Sequence, residues 1–156
     1  MIRNNTPPIN VHKISFQSKI PLPGVKIVIN SLNINPEVLD ILCNQTLRVS
    51  LVSITGPKKS GKSFLMNSLI GVPDGFKVGT RRRQCTEGIY IWTEPKIIDQ
   101  QAIYYLDCEG FTFNATNNMR ESKLLAIVLV LSSVMIINSH GPVNLHEISP
   151  VLSSLP

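Results

Sequence analysis

The chain has 156 residues, 43% of them hydrophobic and 16% charged, and a formal net charge of +5. That length supports one domain with a real core, and that balance excludes a disordered chain. The mild basic surplus admits polyanion affinity, and service to a phosphate-binding site is its simpler reading.

Residues 1–20 are polar, contain Pro7-Pro8, and read as a loosely held lead-in. The stretch Met1–Lys19 has no apolar core, so no secretory signal is expected. Val25–Ile29 is a strand candidate. Asn35-Pro36-Glu37 reads as a helix start: Asn caps, Pro fits the first helical position, and Glu suits the positive end. Val38, Leu39, Ile41 and Leu42 give that short helix an apolar face. Leu47–Ile54 alternates and is rich in β-branched residues, which predicts a strand. After it, Leu65, Met66, Leu69 and Ile70 recur at helical spacing, and Gly71 then Pro73 stop the helix.

Residues 71–87 show little periodicity and carry Lys77, Arg81, Arg82 and Arg83. They predict a long loop of the functional or mobile kind. Gly88–Thr93 reads as a strand, Glu94-Pro95-Lys96 as a turn, and Ala102–Leu106 as the next strand, ending at Asp107-Cys108-Glu109-Gly110. Asn118 with Glu121 resembles a capping box for a buried helix over 119–131. Val134–Ile137 would be a further strand, although periodicity alone does not separate it from that helix. The apolar run Leu124–Ile137 falls short of the roughly 20 residues that span a bilayer, so it predicts core. Gly141-Pro142 breaks the chain, and 143–155 could begin another helix. Alternating strands and helices predict an α/β layered fold. The three cysteines, Cys43, Cys85 and Cys108, have no metal spacing and fit reduced intracellular thiols.

The chemistry centres on Gly56-Pro57-Lys58-Lys59-Ser60-Gly61-Lys62-Ser63, which is G-x-x-x-x-G-K-[ST], the phosphate-cradling P-loop. Its glycines let successive N–H groups point inward at an anion. Lys62 is expected to reach the β- and γ-phosphates, and the Ser63 hydroxyl to ligate Mg²⁺. The helix that starts here turns its positive end to the same place. Asp107, at the end of an apolar strand, is the usual companion acid for Mg²⁺, and Gly110 completes D-x-x-G. Thr86, between the P-loop helix and the next strand, is the candidate third part, a hydroxyl that senses the γ-phosphate. This order is that of a switch GTPase. A P-loop ATPase is the alternative that shares the first motif. Arg81–Arg83 read as a solvated loop face, or as charge facing the γ-phosphate or a partner domain. No aromatic platform accompanies them, which disfavours nucleic acid.

The sequence resembles the large GTPases of the guanylate-binding protein and atlastin type, relatives of dynamins, from about Pro21 to Ser149. The carriers are Asn35–Leu42, Gly61–Leu69, Cys85–Trp92, Asp107–Gly110 and Leu131–Ser133 through Asn138-Ser139. The resemblance implies a P-loop NTPase layered fold: a mixed, mostly parallel sheet flanked by helices. Residues 21–156 would be a partial G domain, cut before the family's last strands and its guanine-reading R-D motif. It implies Mg²⁺-dependent hydrolysis of GTP, accelerated by pairing of G domains with another copy or a full-length relative. Contacts to GTP or GDP would come from Gly56, Pro57, Lys58, Lys59, Ser60, Gly61, Lys62, Ser63, Phe64, Thr86, Asp107 and Gly110. Ser63, Thr86 and Asp107 would serve the metal, and Lys59, Lys62 and Thr86 the catalysis. The location implied is cytoplasmic, peripheral to internal membranes through a longer form.

Two positions depart from the family pattern. Where the family commonly carries an arginine finger, this chain has Lys59, which keeps the charge and lacks the planar fork. Loss of such a finger costs roughly 10³-fold or more in rate. Gln84-Cys85 stands where guanylate-binding proteins often carry a small polar residue that places the water. These departures keep a second reading open, a weak or inactive nucleotide-binding module.

Overall fold

The computed structural model describes residues 24–29, 33–79, 86–111 and 119–141. The strand expected over 25–29 is two short pieces, β1 (Val25–Lys26) and β2 (Val28–Ile29). Ile27 divides them. It is buried, its N–H donates to Ile89 O at 2.8 Å, and its carbonyl accepts from Asn35 N at 2.7 Å. β2 pairs antiparallel with β3 (Asn33–Ile34).

Helix α1 (Pro36–Cys43) starts where the sequence predicts. Asn35 Oδ1 accepts from Glu37 N at 3.0 Å, and Pro36 takes the first position, where a missing N–H costs nothing. Val38 is buried and Ile41 and Leu42 pack beside the core, whereas Leu39 is 44% exposed. One residue is a rotation of about 100° on a helix, which carries Leu39 off the stripe.

Strand β4 (Arg48–Thr55) leads through a tight loop into helix α2 (Lys62–Ile70), closed by Gly71 at φ 79°. Strands β5 (Ile89–Ile91), β6 (Lys96–Ile98) and β7 (Gln101–Cys108) follow, then α3 (Met119–Leu131) and β8 (Val134–Ile137). The turn expected at 94–96 opens β6, a strand absent from the sequence reading. It forms a hairpin with β7 through Asp99 and Gln100, both at positive φ (47° and 61°). The turn lacks the glycine that usually marks such hairpins, and all of β6 is exposed, so no alternation announces it.

The main sheet has order β1-β5-β7-β4-β8, with β6 on the same side of β7 as β5. It is mixed. The longest ladder, β4 with β7, is parallel, as is β4 with β8, while β5 and β6 pair antiparallel with β7 and β1 pairs antiparallel with β5. Period-two alternation along β7 sorts its side chains. Ala102, Tyr104, Leu106 and Cys108 join Val38 of α1 and Val128 of α3 in one core. Tyr105 joins Met66 and Ile70 of α2 in the other, with Ile54, Phe76 and Trp92. Helices thus cover both faces, and the same alternation turns Asp107 toward the α2 side.

The apolar run 124–137 divides into the second half of α3 and β8. Ser132 and Ser133 stitch the turn between them to β4: Ser133 N donates to Leu51 O at 2.8 Å, and Ser133 Oγ accepts from Leu51 N at 3.2 Å. α3 is not buried all round as expected. Leu125 and Val128 are buried and Val130 is 82% exposed, because a helix lying on one sheet face packs one stripe. Among the described residues no helix is long and apolar enough to cross a membrane. The lead-in over 1–20, the Asn118 cap and the helix at 143–155 lie outside the described residues.

On α2 the expected apolar face shifts. Leu69 is exposed, and Asn67 is buried instead. Its amide donates to Pro73 O (3.1 Å) and Phe76 O (2.9 Å), and its Oδ1 accepts from Phe76 N (2.7 Å). This pins the 73–76 turn to α2 and seats Phe76 edge-on against Trp92, with ring centroids 5.9 Å apart. Asn67→Ala would leave the buried Phe76 N–H without its acceptor. Urea unfolding is expected to show a loss of about 2–4 kcal/mol. A loss under about 0.5 kcal/mol, the range of an ordinary surface change, would contradict the pin.

Candidate functional site

The 56–63 loop joins two rigid elements, β4 and α2, and its backbone is shaped by three residues at positive φ: Gly56 (141°), Lys59 (64°) and Gly61 (86°). Gly56 is required by crowding as well as by φ, since a Cβ there would lie 2.1 Å from Asn138 O. Asn138 N donates to Thr55 O at 2.8 Å and its side-chain amide to Ser60 O at 2.8 Å, so the residue after β8 braces the loop at two points. On the opposite side Phe111 runs beside Pro57. Lys58 N donates to Phe111 O at 3.1 Å and Phe111 N to Gly56 O at 3.2 Å. The first turn of α2 follows Gly61 without a side-chain cap. Its leading N–H groups are therefore available to an anion.

The loop encloses Lys62, which is buried and donates from Nζ to Pro57 O at 2.6 Å. Burial pulls its ammonium below the usual lysine range, and the nearby Asp107 opposes that shift. Gly110 closes over the same spot. A Cβ there would stand 2.7 Å from both Lys58 Cα and Lys62 Nζ, so only glycine admits this approach.

Beside Lys62, Asp107 lies one residue before the end of β7 and is almost fully buried. Its Oδ2 accepts from Ser63 Oγ at 2.7 Å and from Thr86 Oγ1 at 3.0 Å, and the two hydroxyls lie 3.2 Å apart. Its other oxygen, Oδ1, is buried with no hydrogen-bond partner among the described residues. Burial pushes the carboxyl above the usual range, opposed by the two hydroxyl bonds, by Lys62 and by the adjacent Cys108 backbone N–H. A buried carboxylate oxygen without a partner is costly unless something else satisfies it. One carboxylate and two hydroxyls suit a small hard cation that keeps most of its waters, such as Mg²⁺. They do not suit zinc, and no His/Cys/Asp/Glu cluster able to hold a metal occurs among the described residues. Cys108 is no nucleophile here, because burial drives its thiol far above the usual range.

The structure therefore brings Gly56–Ser63, Thr86, Asp107 and Gly110 together, as the sequence predicts. Phe64 differs: it is 66% exposed on the first turn of α2. Arg81–Arg83, Gln84 and Cys85 lie outside the described residues. Sequence reasoning assigned no task to Asn138 and Phe111, which brace the loop, and missed two ion pairs at its rim. Lys58 pairs with Glu121 (3.2 Å) and Arg120 with Glu109 (3.0 Å). No local pattern marks these contacts, which cross more than ten residues or join separate elements.

The N-terminal domain model of guanylate-binding proteins matches residues 29–152. Human guanylate-binding protein 2 is 36% identical over 132 residues, covering 81% of this chain and 22% of that protein. Guanylate-binding protein 1 of Chlorocebus aethiops is 35% identical over 133 residues, with the same two shares. Guanylate-binding protein 1 of Mus musculus is 37% identical over 115 residues, or 72% of this chain and 20% of that protein. The chain spans about a fifth of the length of the curated relatives it matches. On the family match and the identity across most of its length, the chain belongs to the guanylate-binding protein family, in the region of its N-terminal domain.

Proposed function

We propose that the chain binds GTP with Mg²⁺ at the 56–63 loop and hydrolyses it to GDP and phosphate. The observation that carries this reading is the convergence of Ser63 and Thr86 on one oxygen of Asp107, with the other oxygen buried and unpartnered. Phosphate would be received by the backbone N–H groups of the loop and of the first turn of α2. Lys62 would exchange its bond to the Pro57 carbonyl for β- and γ-phosphate oxygens, which also relieves the cost of burying its charge. Ser63, Thr86 and Asp107 would hold the metal. When bound, Mg²⁺ neutralises charge on the phosphate oxygens. Thr86 sits on the segment entering β5 and reaches Asp107 from 21 residues away, which supports a role in responding to the terminal phosphate. In the reaction, water attacks the γ-phosphorus in line and the bond to the β–γ bridging oxygen breaks. The relatives' names support guanine as the base, and pairing of two such domains, or of one with a longer relative, is part of the same proposal.

Lys59 supports a second reading, a chain that binds nucleotide and turns it over poorly. It occupies the place where the family resemblance predicts an arginine finger, held at φ 64°. A lysine there supplies charge without a two-pronged grip on oxygen.

Titration of the full chain with fluorescent GTP in Mg²⁺ tests the first reading. GTP is expected to displace the label better than ATP does, and Lys62→Ala is expected to lower affinity at least about tenfold, the scale of one lost charge-assisted contact. Equal displacement by ATP would favour a general P-loop ATPase, and undiminished binding in the alanine variant would sink the site. Lys59→Arg is expected to raise turnover by roughly 10³-fold if the lysine limits catalysis. No gain, with binding intact, would favour the binding module.

A further inference from the structure

Thr86 has a second neighbour of consequence, two residues along the chain. Gly88, at φ 95°, donates its N–H to Glu109 Oε2 at 2.8 Å, and its carbonyl accepts from Glu109 N at 2.7 Å. Glu109 therefore holds the backbone beside Thr86 from both sides of one residue. Its side chain is only 7% exposed, and a buried carboxylate needs charge compensation to stay in place. Arg120, in the first turn of α3, supplies it. Arg120 Nη1 donates to Glu109 Oε1 at 3.0 Å and Nη2 lies 3.0 Å from Oε2, a two-pronged pair on one carboxylate. The next residue, Glu121, pairs with Lys58 of the 56–63 loop at 3.2 Å, its own side chain only 11% exposed. The turn that carries Arg120 is thus strapped to the loop that would receive the phosphates.

We propose that Arg120 is a positioning residue that favours nucleoside triphosphate over diphosphate, by holding Glu109 and through it the backbone beside Thr86. This rests on the nucleotide reading above. The relay runs from Arg120 to Glu109 to the Gly88 N–H, and then two residues along the chain to the hydroxyl on Asp107. A diphosphate is held by the loop and the start of α2, and the bonds of the relay itself end on Glu109 and Gly88 instead. A triphosphate in addition calls on Thr86. Loosening the relay therefore penalises the triphosphate selectively.

Arg120→Met tests this, with Arg120→Lys as the conservative partner. The Arg120 side chain is 58% exposed, so neither change opens the core. Two quantities are read on the full chain: hydrogen exchange of the Gly88 amide without nucleotide, and the affinity for a non-hydrolysable GTP analogue relative to GDP. In the methionine variant the amide is expected to exchange about tenfold faster, and the analogue-to-GDP affinity ratio to fall about tenfold with GDP binding unchanged, the effect of one charge-assisted contact. Lysine, which keeps the charge, is expected to restore most of both. Unchanged exchange at Gly88, or an equal loss of both nucleotides, overturns the proposal. Faster exchange in a chain that binds neither nucleotide sinks the functional reading and leaves the relay standing.

Discussion

The site depends on one carboxylate oxygen. Asp107 Oδ2 draws together hydroxyls from α2 and from the segment entering β5, residues 44 and 21 positions away in sequence. It does so because β7 is central. Its parallel ladder with β4 places Asp107 opposite Ile54, one step before the strand gives way to the loop. Both parallel strands therefore deliver their ends to the same edge. The 56–63 loop comes from one and the acid from the other, at the end of the sheet where open α/β folds usually place ligands.

That arrangement costs stability in the isolated protein. Lys62 and Asp107 are both buried, and burial disfavours the charged form of each. Ser60 Oγ and Asp107 Oδ1 are buried without partners among the described residues. In a well-satisfied core such groups are rare. Their concentration at a strand end, around backbone held at positive φ, is the kind of local cost that perturbed polar groups show at candidate functional sites. The rest of the fold offsets this cost with two apolar cores, one on each face of the sheet.

The loop is held from outside by contacts with no part in chemistry. Asn138 braces it from β8 and Phe111 from beyond β7, while Glu121 straps Lys58 from α3. Three elements distant in sequence thus fix a segment of eight residues. Such bracing from three sides is what a pre-organised binding loop needs and an incidental glycine-lysine turn lacks. Asn67 does comparable work one helix turn further on, anchoring the chain that leaves α2 toward Thr86.

The sequence by itself determined whatever is written locally. The Asn35-Pro36 helix start, the Gly71 stop and the apolar strands expected at 47–54 and 102–106 each follow from near-neighbour chemistry, and the structure bears them out to within a residue or two, as Arg48–Thr55 and Gln101–Cys108 for the strands. The motif order also marked Thr86, Asp107 and Gly110 as companions of Lys62, although nothing in the spacing fixes a distance. Tertiary structure alone decided the rest. Leu39, Leu69 and Val130 are apolar and exposed because a helix on one sheet face buries a single stripe, while Asn67 is polar and buried because a turn needed its amide. The β6 hairpin forms without a glycine because β7 offers it an edge. The two ion pairs at the first turn of α3 join residues that become neighbours only when the sheet closes. Periodicity reports the face a residue presents. Which surface meets that face is set by packing between elements far apart in the chain.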